Sequence, residues 1–154
     1  ERNVDLRLRG FGANVAPDSL AGRMAAQMKA LRGKGFVLDE EGPLCIEGSS
    51  KPAHVYILSD YNCGSTGDAF VELARTARKG TVVGRPTMGI LDYSNEAVMI
   101  YGDYVLMYPT SRRIALDRGI AMNKHGVPVD IYIPYSEEHL ARDVDLETVL
   151  AMLD

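Results

Sequence analysis

Apolar and polar positions change their period several times along this chain, and each change predicts an element. Asn3-Val4-Asp5-Leu6-Arg7-Leu8 alternates, as a strand with one buried face does. Gly10-Phe11-Gly12-Ala13-Asn14 reads as a flexible loop. Over 18–32, Leu20, Met24, Met28 and Leu31 recur at helical spacing behind Pro17, and Gly33 and Gly35 stop the helix. Short strands are expected over 36–39 and 43–47, followed by a loop at Ser49-Ser50-Lys51-Pro52.

The middle of the chain is more apolar. His54-Val55-Tyr56-Ile57-Leu58-Ser59 is a near-continuous run that suits a central strand. A helix is expected over 66–78, with Ala69, Phe70, Leu73, Ala74 and Ala77 as its apolar face, and Thr81-Val82-Val83-Gly84 as a buried strand after it. Strand, helix, strand in this order predicts a βαβ unit in an α/β fold. Residues 96–101 and 103–108 read as an added β-hairpin around Gly102-Asp103. Residues 129–133 alternate as a further strand. Ser136 begins a short helix containing Glu138-His139, and Asp145-Leu146-Glu147-Thr148 opens a last helix with Leu146, Val149, Leu150 and Leu153. No repeat, low-complexity segment or composition shift divides the chain.

Composition narrows the function classes. The 154 residues suit one domain, and 46% hydrophobic with 25% charged residues is ordinary for a globular protein. A net charge of −4 without a basic stripe argues against nucleic acid as a partner. No apolar run reaches the roughly 20 residues of a membrane span. The two cysteines, Cys45 and Cys63, are too few for a disulfide framework and lack metal-ligand spacing, so no metal or other cofactor is expected. Cys45, in Leu44-Cys45-Ile46, reads as a buried apolar residue.

Candidate chemistry gathers in Asn62-Cys63-Gly64-Ser65-Thr66-Gly67-Asp68, at the turn from the central strand into its helix. Ser65 with Asp68 three residues on makes a pattern like the Ser-x-x-Glu capping box, and capping alone is the commoner reason for it. The same placement sets a hydroxyl beside free backbone N–H groups and the positive end of a helix dipole, which can stabilise an oxyanion. Gly64 and Gly67 leave room for a substrate backbone. Cys63 is a second nucleophile to weigh, but the helix start favours Ser65.

Four segments, in order and spacing, resemble the tail-specific, C-terminal-processing and tricorn-type serine peptidases. Asp5-Leu6-Arg7-Leu8-Arg9-Gly10-Phe11-Gly12 is similar to their Asp-x-Arg-x-Asn-Gly-Gly-Gly. Gly64-Ser65-Thr66-Gly67-Asp68 is similar to the tricorn branch's Gly-Ser-x-Gly-Asp. Val82-Val83-Gly84-Arg85-Pro86-Thr87-Met88-Gly89 is similar to Val-Val-Gly-x-Pro-Thr-x-Gly, and Gly126-Val127-Pro128-Val129-Asp130-Ile131 to Gly-Val-x-Pro-Asp-Ile. The resemblance implies that 1–154 is the C-terminal portion of a peptidase catalytic domain, with a ClpP/crotonase-like core around Asp5–Leu8, Val55–Leu58 and Val82–Gly84. It further implies that Ser65 attacks the scissile carbonyl while the backbone N–H groups of Thr66 and Gly10 form the oxyanion hole. The implied partners are a peptide or protein substrate and upstream domains of the same protein, and an oligomer is compatible with it.

The chain departs from that pattern where a base is expected. A serine hydroxyl needs one to become a nucleophile. The C-terminal-processing branch carries a lysine directly after the third motif, where this chain has Ile90. The tricorn branch takes a histidine from upstream and supports it with a glutamate just before the fourth motif; the matching position here is about Asn123. Arg9 and Phe11 also depart from the first motif. Of His54, His125 and His139, His125 is the best local candidate for a base, and Lys124 a weaker one. A second class of function follows from Ile90 and Asn123: a non-catalytic binding relative, like the retinoid-binding proteins of the eye that are built from similar domains. A crotonase-type acyl-CoA enzyme ranks third, since it needs no serine at this turn.

Overall fold

A computed structural model describes residues 16–36, 45 and 47–153. The strand expected at 3–8, the loop at 10–14, Gly10 and most of the strands expected at 36–39 and 43–47 lie outside those residues. The chain divides into two compact units, Glu1–Ile46 with Ala97–Tyr108, and Glu47–Glu96 with Pro109–Asp154. The described residues form a mixed α/β structure with one parallel sheet and one antiparallel hairpin.

In the first unit, helix α1 spans Leu20–Ala30. Ser19 caps it, its Oγ accepting from the Gly22 N–H at 3.0 Å. Leu20 is 68% exposed, so the expected apolar stripe does not form a buried face over its whole length. The buried position is Gly22, where a Cβ would lie 2.0 Å from the Ala16 carbonyl oxygen.

The second unit is built on β1 (Val55–Ser59), α2 (Thr66–Ala74) and β2 (Gly80–Gly84), with β1 and β2 parallel from Val55↔Gly80 to Ser59↔Gly84. A short strand β5 (Ile131–Tyr132) pairs on the far side of β2, giving the order β1-β2-β5. Strand alternation sends Val82 and Val83, both fully buried, to opposite faces. Val82 packs with Val71 of α2, Met122 and Val127, while Val83 packs with Ile133 and with Val149 of the C-terminal helix α3 (Val144–Ala151). Helices on both faces of a parallel sheet are the layering expected of an α/β unit. The hairpin strands β3 (Tyr93–Tyr101) and β4 (Tyr104–Arg112) turn at Gly102, which has φ 58°.

Several expectations need correction. Helix α2 ends at Ala74, short of 78: the Thr76, Ala77 and Gly80 N–H groups bond three residues back, tightening the chain into β2. Its buried residues are Asp68 and Val71, while Phe70 and Leu73 are more than half exposed, so the inward face is turned from the predicted one. The strand expected over 129–133 shrinks to two residues because the Asp130 side chain takes the Val82 N–H at 2.8 Å, where a strand would offer a carbonyl. Cys45 is exposed, not buried. The last helix opens one residue before the expected Asp145, at Val144. Asp143 caps it, accepting from the Leu146 N–H at 3.0 Å, and Asp145 turns inward.

The inward Asp145 meets Arg85, the residue after β2. The guanidinium donates to both carboxylate oxygens, at 2.8 and 2.5 Å, and also to the Ile133 carbonyl. Both side chains are almost closed to solvent, so removing one partner leaves a buried charge alone. The Arg85 hydrogen bonds hold the Asp145 carboxyl below its ordinary value, and the Val82 N–H does the same for Asp130. Depressed carboxyls contribute stability that is complete above the ordinary value of about 4 and is lost as pH falls through the depressed one. Thermal stability should therefore fall on acidification below about pH 4. Asp145→Asn should cost about 3 kcal/mol at neutral pH, read from urea unfolding, and should flatten that acid limb. An unchanged urea midpoint would contradict the role given to this pair.

Candidate active site

Ser65 stands at the turn between β1 and α2, after the Asp60–Gly64 loop. Its backbone has φ 57° and ψ −114°, a region that residues with a Cβ rarely enter. Such a conformation costs about 1–3 kcal/mol and persists only where the surroundings impose it. A serine held this way on a sharp strand-to-helix turn has the geometry of a nucleophile elbow, which lifts the hydroxyl out of the turn. Ser65 is exposed accordingly.

What imposes the conformation is Asp68, in the first turn of α2 and fully buried. Its Oδ2 accepts from the Ser65 N–H at 2.8 Å and the Ile90 N–H at 3.0 Å, and its Oδ1 from the Gly89 N–H at 2.9 Å. One carboxylate thus ties the elbow to the loop after β2. Gly64 completes the join: a Cβ there would lie 3.1 Å from the Met88 side chain and 3.2 Å from Ile90 Cδ1. The Met88 N–H donates to the Cys63 carbonyl at 2.8 Å. At Gly67 a Cβ would lie 2.7 Å from Cys63 Sγ, so the thiol would have to shift.

A third segment is held in the same way. At Gly89, φ 75°, a Cβ would overlap the Met122 carbonyl and the Gly126 backbone; at Gly126, φ 66°, it would overlap Thr87. The Thr87 hydroxyl accepts from the Val127 N–H, and Asp92 Oδ2 accepts from the Met122 and Asn123 N–H groups at 2.9 and 2.8 Å. The 122–126 turn, which carries Asn123, Lys124 and His125, is therefore packed against the Thr87–Ile90 loop.

The Thr66 N–H lies in the first turn of α2 and makes no hydrogen bond among the described residues, as an oxyanion donor requires. Gly10, the other donor implied, lies outside them. Cys63 is disfavoured as nucleophile: burial, then the Asp68 and Asp60 charges, push its thiol above the ordinary value and suppress the thiolate. His54 sits before β1, at the end of the strand away from Ser65, and bonds Thr81 Oγ1 at 2.9 Å. His139 is part of the Arg85–Asp145 cluster, 3.3 Å from Asp145. His125 and Lys124 are exposed in the 122–126 turn, and no ion pair or hydrogen bond joins either side chain to Ser65 among the described residues. Among those residues there is also no cluster of metal-ligating side chains and no helix long and apolar enough to cross a membrane.

Asp68 was legible in the sequence as a cap, but not as the anchor of Gly89 and Ile90. The signal that could have found it is the pairing of an acid after Gly-Ser-x-Gly with a glycine at the end of the next loop. Asp92 had no signal at all. No protein-family model matches the chain, and no curated protein matches it.

Replacing Asp68 by Asn keeps one acceptor oxygen but sets an amide against backbone N–H groups. The expected loss is about 2 kcal/mol by urea unfolding, because a buried donor is left unsatisfied. Stability equal to the parent protein would show that the elbow does not depend on this carboxylate.

Proposed function

We propose that this chain carries the nucleophile of a serine-type peptidase, on a ClpP/crotonase-like core, with Ser65 forming an acyl-enzyme. The observation that carries the reading is the backbone of Ser65: a strained non-glycine residue at a strand-to-helix turn, braced by a buried carboxylate. A helix cap alone needs no such conformation, since a cap residue ordinarily has extended φ and ψ, as Ser19 has here. In the reaction, Ser65 Oγ forms a bond to the substrate carbonyl carbon and loses its proton to a base. The carbon–nitrogen bond breaks, the amine leaves with that proton, and water then releases the acyl group by the same route. The oxyanion is met by the Thr66 N–H and by that of Gly10. The base is assigned to a residue upstream of this chain, with Asn123 and His125 as supporting groups.

Ile90 and Asn123 favour a second reading. Both replace polar or charged residues of the peptidase pattern, and a domain that binds a ligand without cleaving it would tolerate that. One experiment separates the two. A small fluorophosphonate should label Ser65 of the full-length protein, and Ser65→Ala should abolish both labelling and peptide hydrolysis. An unlabelled, folded parent protein would decide for the binding relative.

A further inference from the structure

The loop that Asp68 ties to the elbow opens into a cleft of about 200 Å3, lined by Gly89, Ile90, Asp92, Tyr93 and Asn123. Its position follows from contacts already described. The Ile90 N–H shares Asp68 Oδ2 with the Ser65 N–H, and Ile90 Cδ1 rests against Gly64. The cleft is thus joined to the reactive turn through a single side chain. Ile90 and Tyr93 are 52% and 54% exposed, although both are large and apolar.

The acid in the wall is closed to solvent. Asp92 is 2% exposed; its Oδ2 is occupied by two backbone N–H groups, and its Oδ1, closed to solvent and 3.5 Å from the Arg113 guanidinium, makes no hydrogen bond among the described residues. What remains to meet a ligand is the aliphatic side chain of Ile90, the ring of Tyr93, the Gly89 backbone and the neutral Asn123 amide. Such a surface favours an apolar group, and a charged one would lose water there without finding an opposite charge.

Resting on the reading of Ser65 as nucleophile, we propose that this cleft takes the side chain on the acyl side of the scissile bond and selects an apolar one, with Ile90 and Tyr93 as the specificity-determining residues. In the acyl-enzyme the acyl residue stays bonded to Ser65 Oγ while the amine departs. Its side chain must therefore find a recess adjoining the elbow, and the Ile90 cleft adjoins it. The residue that stands where one branch of peptidases keeps a lysine base thereby becomes a wall of the substrate pocket.

The test uses the full-length protein and peptidyl diphenyl phosphonates differing only in the acyl-side residue. In these probes Ser65 Oγ forms a bond to phosphorus and phenol leaves with the proton. Probes bearing Leu or Phe should inactivate at least about ten-fold faster than those bearing Asp or Lys. Ile90→Asp should cut the Leu-over-Lys ratio by about ten-fold or more, and Tyr93→Ala should lower the Phe-over-Lys ratio. Both sites are half exposed, and an unchanged melting temperature will confirm that each variant folds. If the small fluorophosphonate labels Ser65 but the phosphonates show no apolar preference, or the ratios ignore both substitutions, the cleft assignment falls while the nucleophile stands. If the fluorophosphonate fails on the parent protein, the nucleophile itself falls, and the cleft assignment with it.

Discussion

The site depends on one buried carboxylate. Asp68 receives N–H groups from Ser65, Gly89 and Ile90 and is closed to solvent. Hydrogen bonds to a charged acceptor are stronger than neutral ones, and they do most where water cannot compete. Three converging backbone donors satisfy the buried carboxylate. In return the carboxylate fixes three backbone positions from two loops. Asp suits the task better than Glu, because its short side chain reaches its own helix turn with fewer rotors to order. Glycine is required on the other side of the joint, since Gly89 has a left-handed φ and no space for a Cβ. The strain at Ser65 is thus held by an interaction outside the residue, which is the condition under which such strain survives.

The same device recurs through the second unit. Asp92 takes the Met122 and Asn123 N–H groups, Asp130 takes that of Val82, and Asp145 takes the Arg85 guanidinium. Among the described residues the parallel sheet has three strands, and β5 pairs with β2 at two residues. Beyond that pairing the Asp130 carboxylate takes the Val82 N–H, and Asp68 and Asp92 pin the loops beside the strands. This gives another meaning to a net charge of −4. Asp68, Asp92 and Asp145 are buried against backbone and arginine, while Asp130 bonds the sheet from an exposed position, so these acids report on how the described sheet and its loops are held and say little about a basic partner.

Which parts were legible follows from the range of the interactions. The βαβ order, the hairpin turn at Gly102 and the serine at the start of α2 rest on local periodicity and turn chemistry, and the expected elements sit within a few residues of the observed ones. The inward face of α2 was misread because Phe70 and Leu73 look like core residues, while the helix is rotated by a polar anchor, Asp68, that contacts residues more than twenty positions away. Asp130 truncates β5 through the Val82 N–H, and Asp145, in the first turn of α3, is held inward by Arg85, sixty positions earlier. Side-chain bonds across such distances leave no periodicity to read. Nor does composition reveal φ at Ser65, because serine is common at ordinary caps.

That division bears on Ile90, the position at which the proposed reading would look for a base. The fold uses position 90 through its N–H, which Asp68 holds, and half of the Ile90 side chain is in solvent. Position 123 is similar: its N–H is bound to Asp92, and its side chain is free to face the cleft. Backbone-specified positions constrain conformation and leave side-chain chemistry open, so a substitution there changes what the site does at little cost to how it is built. Asp68 and Gly89 have no such freedom, because buried hydrogen bonds hold the one and a Cβ on the other would overlap backbone atoms. A frame that keeps its elbow while its flanking side chains vary is therefore the arrangement expected if the nucleophile is retained and the groups around it are redrawn for a different base and a different substrate side chain.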